Sequence, residues 1–311
     1  MVKHIKYYKD FNISNQEKNS ILLIGNFDGL HVGHQKLFNL AKRYKKKYKL
    51  KIGVVTFEPM PKMYFNKSIK NFRISSQNQK KLILNKLGID FIINKKFDKK
   101  FSKIKSYQFI QNILYKKLRA KYIFVSNNFR FGNKREGNVK QLILNEKVFG
   151  FKIIKPKPLI RNNKIISSTF IRKLLETGKL NEANKFLKRN WSIEGFVEYG
   201  KQLGKKIGFP TCNIDINDYV IAMPGVYAVK IYQKNKRFNL KGIANLGYRP
   251  TFKQKKILLE VHIFNFSGNL YNKHLSVEFV KFIRKERKFK NVDQLRKQIR
   301  LDLKMAKKTL I

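Results

Sequence analysis

The sequence predicts an α/β domain built on a parallel sheet, then a small antiparallel β-barrel and a C-terminal helix. Three observations predict it. From about Ile21 to Ile154, short apolar runs alternate with longer amphipathic ones. From Trp191 to about Arg284 the texture changes to short β-rich runs at close spacing. Asn291 to Leu310 then carries apolar residues at helical spacing. Strand–helix alternation implies right-handed crossovers and a parallel sheet covered on both faces. Closely spaced strands broken by turn residues imply hairpins closing into a barrel.

Taken in order, Ile21–Ile24 reads as a buried strand and Gly33–Tyr48 as an amphipathic helix. Between them Gly25 to His34 reads GNFDGLHVGH. Such a join points backbone N–H groups and a helix dipole at an anion. The candidates there are Gly25, the amide of Asn26, Phe27, the carboxylate of Asp28, Gly33 and the two histidines. His31 and His34, three positions apart, share one face of the first helical turn. Gly33 carries no side chain, so a phosphate or purine can approach its backbone. Paired histidines are also a metal-ligand spacing, and both readings stand at this point.

Ile52–Phe57, Phe91–Ile93, Tyr122–Val125 and Lys152–Ile154 read as the next strands. Gln77–Leu87, Ser106–Leu118 and Asn138–Phe149 read as the helices between them. In parallel sheets ligands bind beyond the carboxyl ends of the strands, where the Gly25–His34 loop lies. Two further helices, Thr169–Thr177 and Leu180–Leu187, are separated by Gly178. The boundary falls near Lys188–Asn190, giving domains 1–188 and 189–311. The barrel strands are Ser192–Tyr199, Gly225–Tyr232, Leu240–Asn245, Leu258–Phe264 and Leu275–Phe282.

The barrel region holds a second dense signal, GFPTCN at Gly208–Asn213. Gly208 and Pro210 fix a tight backbone, and Thr211 then presents a hydroxyl beside the amide of Asn213. Magnesium prefers hard oxygen ligands of this kind together with substrate phosphate. An ordinary turn leading into a strand is the plainer explanation. Glu260, within LLEVHIFNF, is a carboxylate in an apolar strand, so it needs a partner or a task. A salt bridge is the usual one; a general base for a substrate hydroxyl is the other.

Composition narrows the classes. The 311 residues suffice for two domains, and 42% hydrophobic content is that of a globular chain. The formal net charge is +51, from 70 basic and 19 acidic residues. That would suit a nucleic-acid-binding protein, but the lysines are spread along the whole chain among many Ile, Asn and Phe. Mutational bias explains that texture better than a polyanion site. One cysteine, Cys212, excludes an intrachain disulfide and suits a reducing cytoplasm. No apolar run approaches the roughly 20 residues that span a bilayer, so no membrane partner is expected.

With both constellations in view, the chain resembles the bacterial bifunctional riboflavin kinase/FAD synthetase family. The resemblance runs through GNFDGLHVGH (Gly25–His34), TFEPMP (Thr56–Pro61), NFRFGNKREGN (Asn128–Asn138) and ISSTFIR (Ile166–Arg172). It continues through GFPTCN, PGVY (Pro224–Tyr227), NLGYRPTF (Asn245–Phe252) and LEVHIFNF (Leu259–Phe266). It implies a Rossmann-like nucleotidylyltransferase domain followed by a flavokinase barrel. It also implies two ATP-dependent reactions, riboflavin to FMN and FMN to FAD, with Mg2+ as cofactor and small molecules as the partners. By resemblance Glu260 is the base, Thr211 and Asn213 are metal ligands, Gly208 and Pro210 contact phosphate, and His31 and His34 are catalytic. Ser167, Ser168, Thr169 and Arg172 would join the phosphate contacts, and Phe57, Pro59, Asn128 and Arg249 would contact flavin. A helix cap is the plainer role for the Ser/Thr run. The chain departs from the family's usual residues at Ser126, Asn127, Asn128, Cys212 and Asn272. A monofunctional nucleotidylyltransferase would leave GFPTCN and Glu260 unexplained.

Overall fold

The computed structural model describes residues 5–200, 202–216, 218–233, 239–250 and 255–311, without the side chains of 249, 250, 255 and 256. The chain forms two compact units. One comprises the residues up to Lys70 with Gln77–Ile166, and the other Asn71–Ser76 with Ser167–Ile311.

The first unit is built on six strands: β1 (Lys6–Tyr8), β2 (Ile21–Ile24), β3 (Ile52–Glu58), β4 (Phe91–Lys96), β5 (Tyr122–Phe124) and β6 (Lys152–Ile154). Their order is β1-β4-β3-β2-β5-β6, and every pairing is parallel. β2, reading ILLI, is buried at all four positions because both of its faces are covered. Leu22 and Ile24 face a core with Ile110, Leu114 and Ile123, whereas Ile21 and Leu23 face Phe38 and Ala41. Those last two lie on α1 (Val32–Tyr48), which follows the GNFDGLH turn; α2 (Gln77–Lys86) lies further on. The buried carboxylate of Glu17 accepts hydrogen bonds from Tyr8, Lys6 and Lys51, each at 3.0 Å, and from Ser14. Burial alone would raise its pKa, but these donors outweigh it and hold the carboxyl at about 2.

Three details differ from the sequence expectation. β1 carries only Lys-Tyr-Tyr on a sheet edge, too short and polar for a periodicity signal. The segment 106–118 begins as helix at Ser106–Gln108 and widens into a π-helix over Phe109–Lys117. The segment 138–149 is two helices, Val139–Leu144 and Glu146–Phe149, broken at Asn145, whose side chain donates back to the Gln141 carbonyl.

The second unit is a closed six-stranded barrel: β7 (Trp191–Glu198), β8 (Cys212–Asp215), β9 (Gly225–Gln233), β10 (Asn239–Pro250), β11 (Lys255–Ile263) and β12 (His274–Lys285). The strands are antiparallel in the order β7-β8-β11-β10-β9-β12. β8 bears out the plainer reading of GFPTCN, a turn leading into a strand, and adds a sixth strand to the five expected. Side chains alternate about the wall, with Ile214, Ala244, Leu246, Leu259 and Val261 pointing into the core. Two helices, α3 (Ser168–Glu176) and α4 (Leu180–Leu187), add Ile171, Leu174, Leu175 and Leu187 to that same core. Packing therefore groups residues 167–188 with the barrel, whereas the change of sequence texture comes at 188–190. The Trp191 indole, fully buried, donates to the Ile74 carbonyl at 3.0 Å. The last helix, α5 (Val292–Thr309), covers part of the outer face through Ala306, against Val226, Ala228 and Ile243. Its Asp302 accepts two-pronged hydrogen bonds from Arg284 at 2.7–3.0 Å.

Candidate functional site

Alternation along the barrel strands decides what faces out. Asn213 on β8 pairs directly with Glu260 on β11, and Glu260 pairs with Asn245 on β10. Their chain neighbours Ile214, Leu259, Val261, Ala244 and Leu246 face the core, so these three polar groups form one row on the outer face. The row opens onto a cavity of about 1020 Å³, whose wall also includes Thr211, His262 and Arg284. Leu295, Ile299 and Asp302 of α5 supply the opposite wall. Glu260 thus has apolar neighbours along the chain without standing in apolar surroundings; they belong to the other face.

Asn213 is 93% buried, and its Oδ1 finds no hydrogen-bond partner among the described residues. Leaving a buried amide oxygen unsatisfied costs about 1–3 kcal/mol, a cost that a donor or cation placed there would remove. The hydroxyl of Thr211, two residues earlier on the same face, completes a pair of hard oxygen donors of the kind magnesium takes. Cys212 between them packs against the core, where burial pushes its thiol up to about 12. Gly208 and Pro210, expected among the phosphate contacts, lie outside the cavity wall. Gly208 has φ +87°, a conformation that favours glycine. Glu286 also lines the cavity and accepts from the Asn245 amide at 3.4 Å. The backbone of Arg249 lies within β10, but its side chain is outside the described residues.

In the first unit the GNFDGLHVGH turn leaves the carboxyl end of β2. Gly25 extends the ladder by donating to the Val55 carbonyl at 3.1 Å. The chain then reverses through left-handed conformations at Phe27 (φ 48°), Gly29 (φ 77°) and Leu30 (φ 45°). Two of these are not glycine, and such strain concentrates at ligand-binding turns. His31 occupies the N-cap position of α1, and its ring stacks on that of His34 with centroids 3.8 Å apart. Phe27 meets His34 edge-on at 5.3 Å and packs on Phe38 behind it. The Asn26 side chain is exposed and Asp28 is buried. A Cβ on Gly33 would come within 3.1 Å of the His31 ring and of the Ile166 carbonyl. Glycine there keeps the histidine pair close to the helix end.

His34 titrates well below the usual histidine range, first because it is desolvated and then because His31 and Lys80 are nearby. It is neutral at pH 7, so it offers a ring N–H and not a fixed charge. The buried Lys80 reaches Thr56 Oγ1 at 3.4 Å. Sequence reading missed it, since nothing in QNQKKLILNK separates Lys80 from the exposed Lys81.

The remaining candidates are dispersed. Phe57 packs against the rings of Phe97 and Phe101, Pro59 follows the end of β3, and Asn128 accepts from the Ser126 hydroxyl at 2.9 Å. Ser167, Ser168, Thr169 and Arg172 belong to the second unit. Ser167 caps α3 by accepting from the Phe170 N–H at 3.2 Å, and Ser168 and Thr169 form the first turn. Arg172 donates to the Phe72 carbonyl at 2.7 Å with its guanidinium 3.6 Å above the Phe72 ring. Among the described residues no three His, Cys, Asp or Glu side chains cluster as a metal site, and no helix is long and apolar enough to cross a membrane.

Two families match the chain, FAD synthetase over residues 13–170 and riboflavin kinase over residues 187–310. Proteins named bifunctional riboflavin kinase/FMN adenylyltransferase are similar over nearly the whole length. One from Buchnera aphidicola subsp. Schizaphis graminum is 40% identical, covering 96% of each chain. That of Haemophilus influenzae is 38% identical over 92% of each, and that of Escherichia coli K12 is 35% identical over 92% of this chain and 91% of that protein. A solved Streptococcus pneumoniae structure, described as a macrolide-efflux protein, superposes with a TM-score of 0.81 at 27% identity, covering 95% of this chain and 96% of that one.

Proposed function

The chain belongs to the bifunctional riboflavin kinase/FMN adenylyltransferase family, and we propose from that premise how its residues divide the two reactions. The enzyme phosphorylates riboflavin to FMN with ATP, then adenylylates FMN with a second ATP to give FAD and pyrophosphate. On our reading residues 189–311 carry the first reaction and residues 1–188 the second.

A ribityl hydroxyl is barely acidic near neutral pH. In the kinase reaction Glu260 takes its proton as the oxygen attacks the γ-phosphorus of ATP, and ADP leaves. Glu260 is supported in this role by its place at the centre of the outer-face row, at the cavity wall. Thr211 and Asn213 would hold a magnesium ion, which neutralises charge on the triphosphate when bound. The unsatisfied Oδ1 of Asn213 is the observation that carries this assignment.

In the second reaction the nucleophile is the FMN phosphate, largely dianionic at pH 7 because its second pKa is about 6. It needs no base. One of its oxygens attacks the α-phosphorus and pyrophosphate departs, so the demand is for donors to developing negative charge. The N-terminus of α1, with His31 and neutral His34, is suited to that. We include Gly25 to Asp28 and Gly33 in the same phosphate site, and Phe57, Pro59 and Asn128 among the flavin contacts. A cytoplasmic location belongs to the same proposal, supported by the single cysteine.

The test is chromatographic product analysis after incubating the purified chain with riboflavin, ATP and magnesium. FMN appearing first and FAD after it is the expected course. FMN alone would refute an active first unit, and no flavin product would refute both assignments.

A further inference from the structure

We propose that His262 is a positioning residue for phosphoryl transfer: its imidazole holds the Pro210 carbonyl and so fixes Thr211 at the cavity wall. The inference rests on the reading that Thr211 and Glu260 serve the kinase reaction.

His262 stands two residues after Glu260 on β11, so both point to the outer face, and both line the cavity. Its Nδ1 lies 2.8 Å from the Pro210 carbonyl oxygen. A carbonyl only accepts, so Nδ1 carries the proton in this contact. The reason for such a contact lies in the ladder between β8 and β11. Their register ends at Cys212 opposite Val261, and one step further would set Thr211 opposite His262. Residue 210 is proline and has no N–H, so the main chain offers no donor there with which to continue the pairing. The imidazole supplies a donor from the side instead. It ties the carbonyl just before Thr211 to the strand that carries Glu260.

What it ties down is itself compact. The Phe209 N–H donates to the Gly204 carbonyl at 2.8 Å, and Gly208 donates to Lys205 at 3.1 Å. A Cβ on Gly204 would fall 2.4 Å from the Phe209 carbonyl oxygen, so the turn closes tightly on itself. The Phe209 ring then meets the imidazole edge-on at 5.9 Å. Residues 203–209 thus form one compact turn, and His262 sets where that turn rests relative to Glu260.

The experiment compares three variants of the full chain. His262→Asn keeps a donor near the Nδ1 position, His262→Gln moves it toward the Nε2 position, and His262→Ala removes it. Each is assayed for FMN formation and, separately, for FAD formation from FMN. Hydrogen exchange of the peptide spanning residues 203–213 gives a readout independent of turnover. The expected result is a loss of about 30-fold in kcat/KM for FMN formation in His262→Ala and His262→Gln, as for a reacting group displaced by a fraction of an ångström. Exchange at 203–213 should rise in both. His262→Asn should recover to within about threefold with native protection, and all three should form FAD from FMN at the parent rate. Activity retained in His262→Ala would overturn the proposal. So would His262→Gln active with His262→Asn inactive, which would make Nε2 a group touching substrate. Absence of FMN formation in the parent chain would instead refute the underlying reading, before any variant is compared.

Discussion

On the proposed assignment, the histidine turn of the first unit and the Asn213–Glu260–Asn245 row of the second meet the same ligand class with opposite means. One sets two stacked imidazoles at a helix N-terminus in a strained turn. The other sets a carboxylate between two amides on the outside of a barrel. The difference follows from the nucleophile. A hydroxyl must lose a proton as it attacks, so the second site needs a base, whereas a phosphate arrives already ionised and needs only donors for the charge that develops. The two sites draw on different backbone devices as well. A turn aims N–H groups at an anion, and a β-strand sorts polar from apolar residues with a period of two.

The sharpest way to break this comparison is to remove the base. Glu260→Gln should lower FMN formation by about 10³-fold, within the range of general-base catalysis, and leave adenylylation of supplied FMN within twofold. His31→Ala should do the reverse, lowering FAD formation by about 10²-fold with FMN formation unchanged. Steady-state assays with each flavin supplied separately read both effects. Equal loss of the two activities in both variants would abolish the distinction.

A smaller effect is expected where the barrel holds its cavity wall. Asp302 lies on the buried face of α5 and is held by the bidentate Arg284, whose side chain is 20% exposed. Asp302→Ala should cost about 2 kcal/mol, less than for a fully buried pair because water partly solvates the abandoned guanidinium. Thermal unfolding of the whole chain would register it as a lower transition for the barrel. FMN formation should fall while FAD formation from FMN persists.

A further effect concerns acidity, and it separates the units again. His34 has a depressed pKa in the folded chain, so below about 6.5 the unfolded chain binds more protons and stability falls. Glu17, held at about 2 against the usual 4.5, adds a second loss as pH falls from about 4.5 toward 2. Hydrogen exchange across pH 7 to 2, corrected for intrinsic rates, should show peptides around β2 and α1 opening before those of the barrel. Glu17→Gln should remove the lower stage and keep the upper one. Simultaneous opening of both units would contradict the assignment.

Much of this architecture was legible from spacing. ILLI followed by GNFDGLHVGH announced strand, loop and helix because each signal is local. The ends of strands were less so: β4 runs on through Asn94-Lys95-Lys96, whose polarity hides a strand that leaves the core. Glu260 was recognised as needing a task, but its cavity was not visible until register set Asn213 and Asn245 beside it. The pairings of Arg284 with Asp302 and of Arg172 with Phe72 join residues 18 and 100 positions apart, beyond any periodic signal. The same holds for α3 and α4, whose apolar faces were readable while the core they fill was not. The wide turn at Phe109–Lys117 arises from i→i−5 bonding such as Leu118 to Ile113, which leaves no mark on composition.

If one chain holds two independent phosphate chemistries, Glu260→Gln should separate them cleanly. With FMN and ATP supplied, that variant should make FAD at the parent rate, and with riboflavin and ATP it should make almost no flavin nucleotide. Loss of FAD formation from supplied FMN, in a chain that still folds, would show that the two chemistries are not independent.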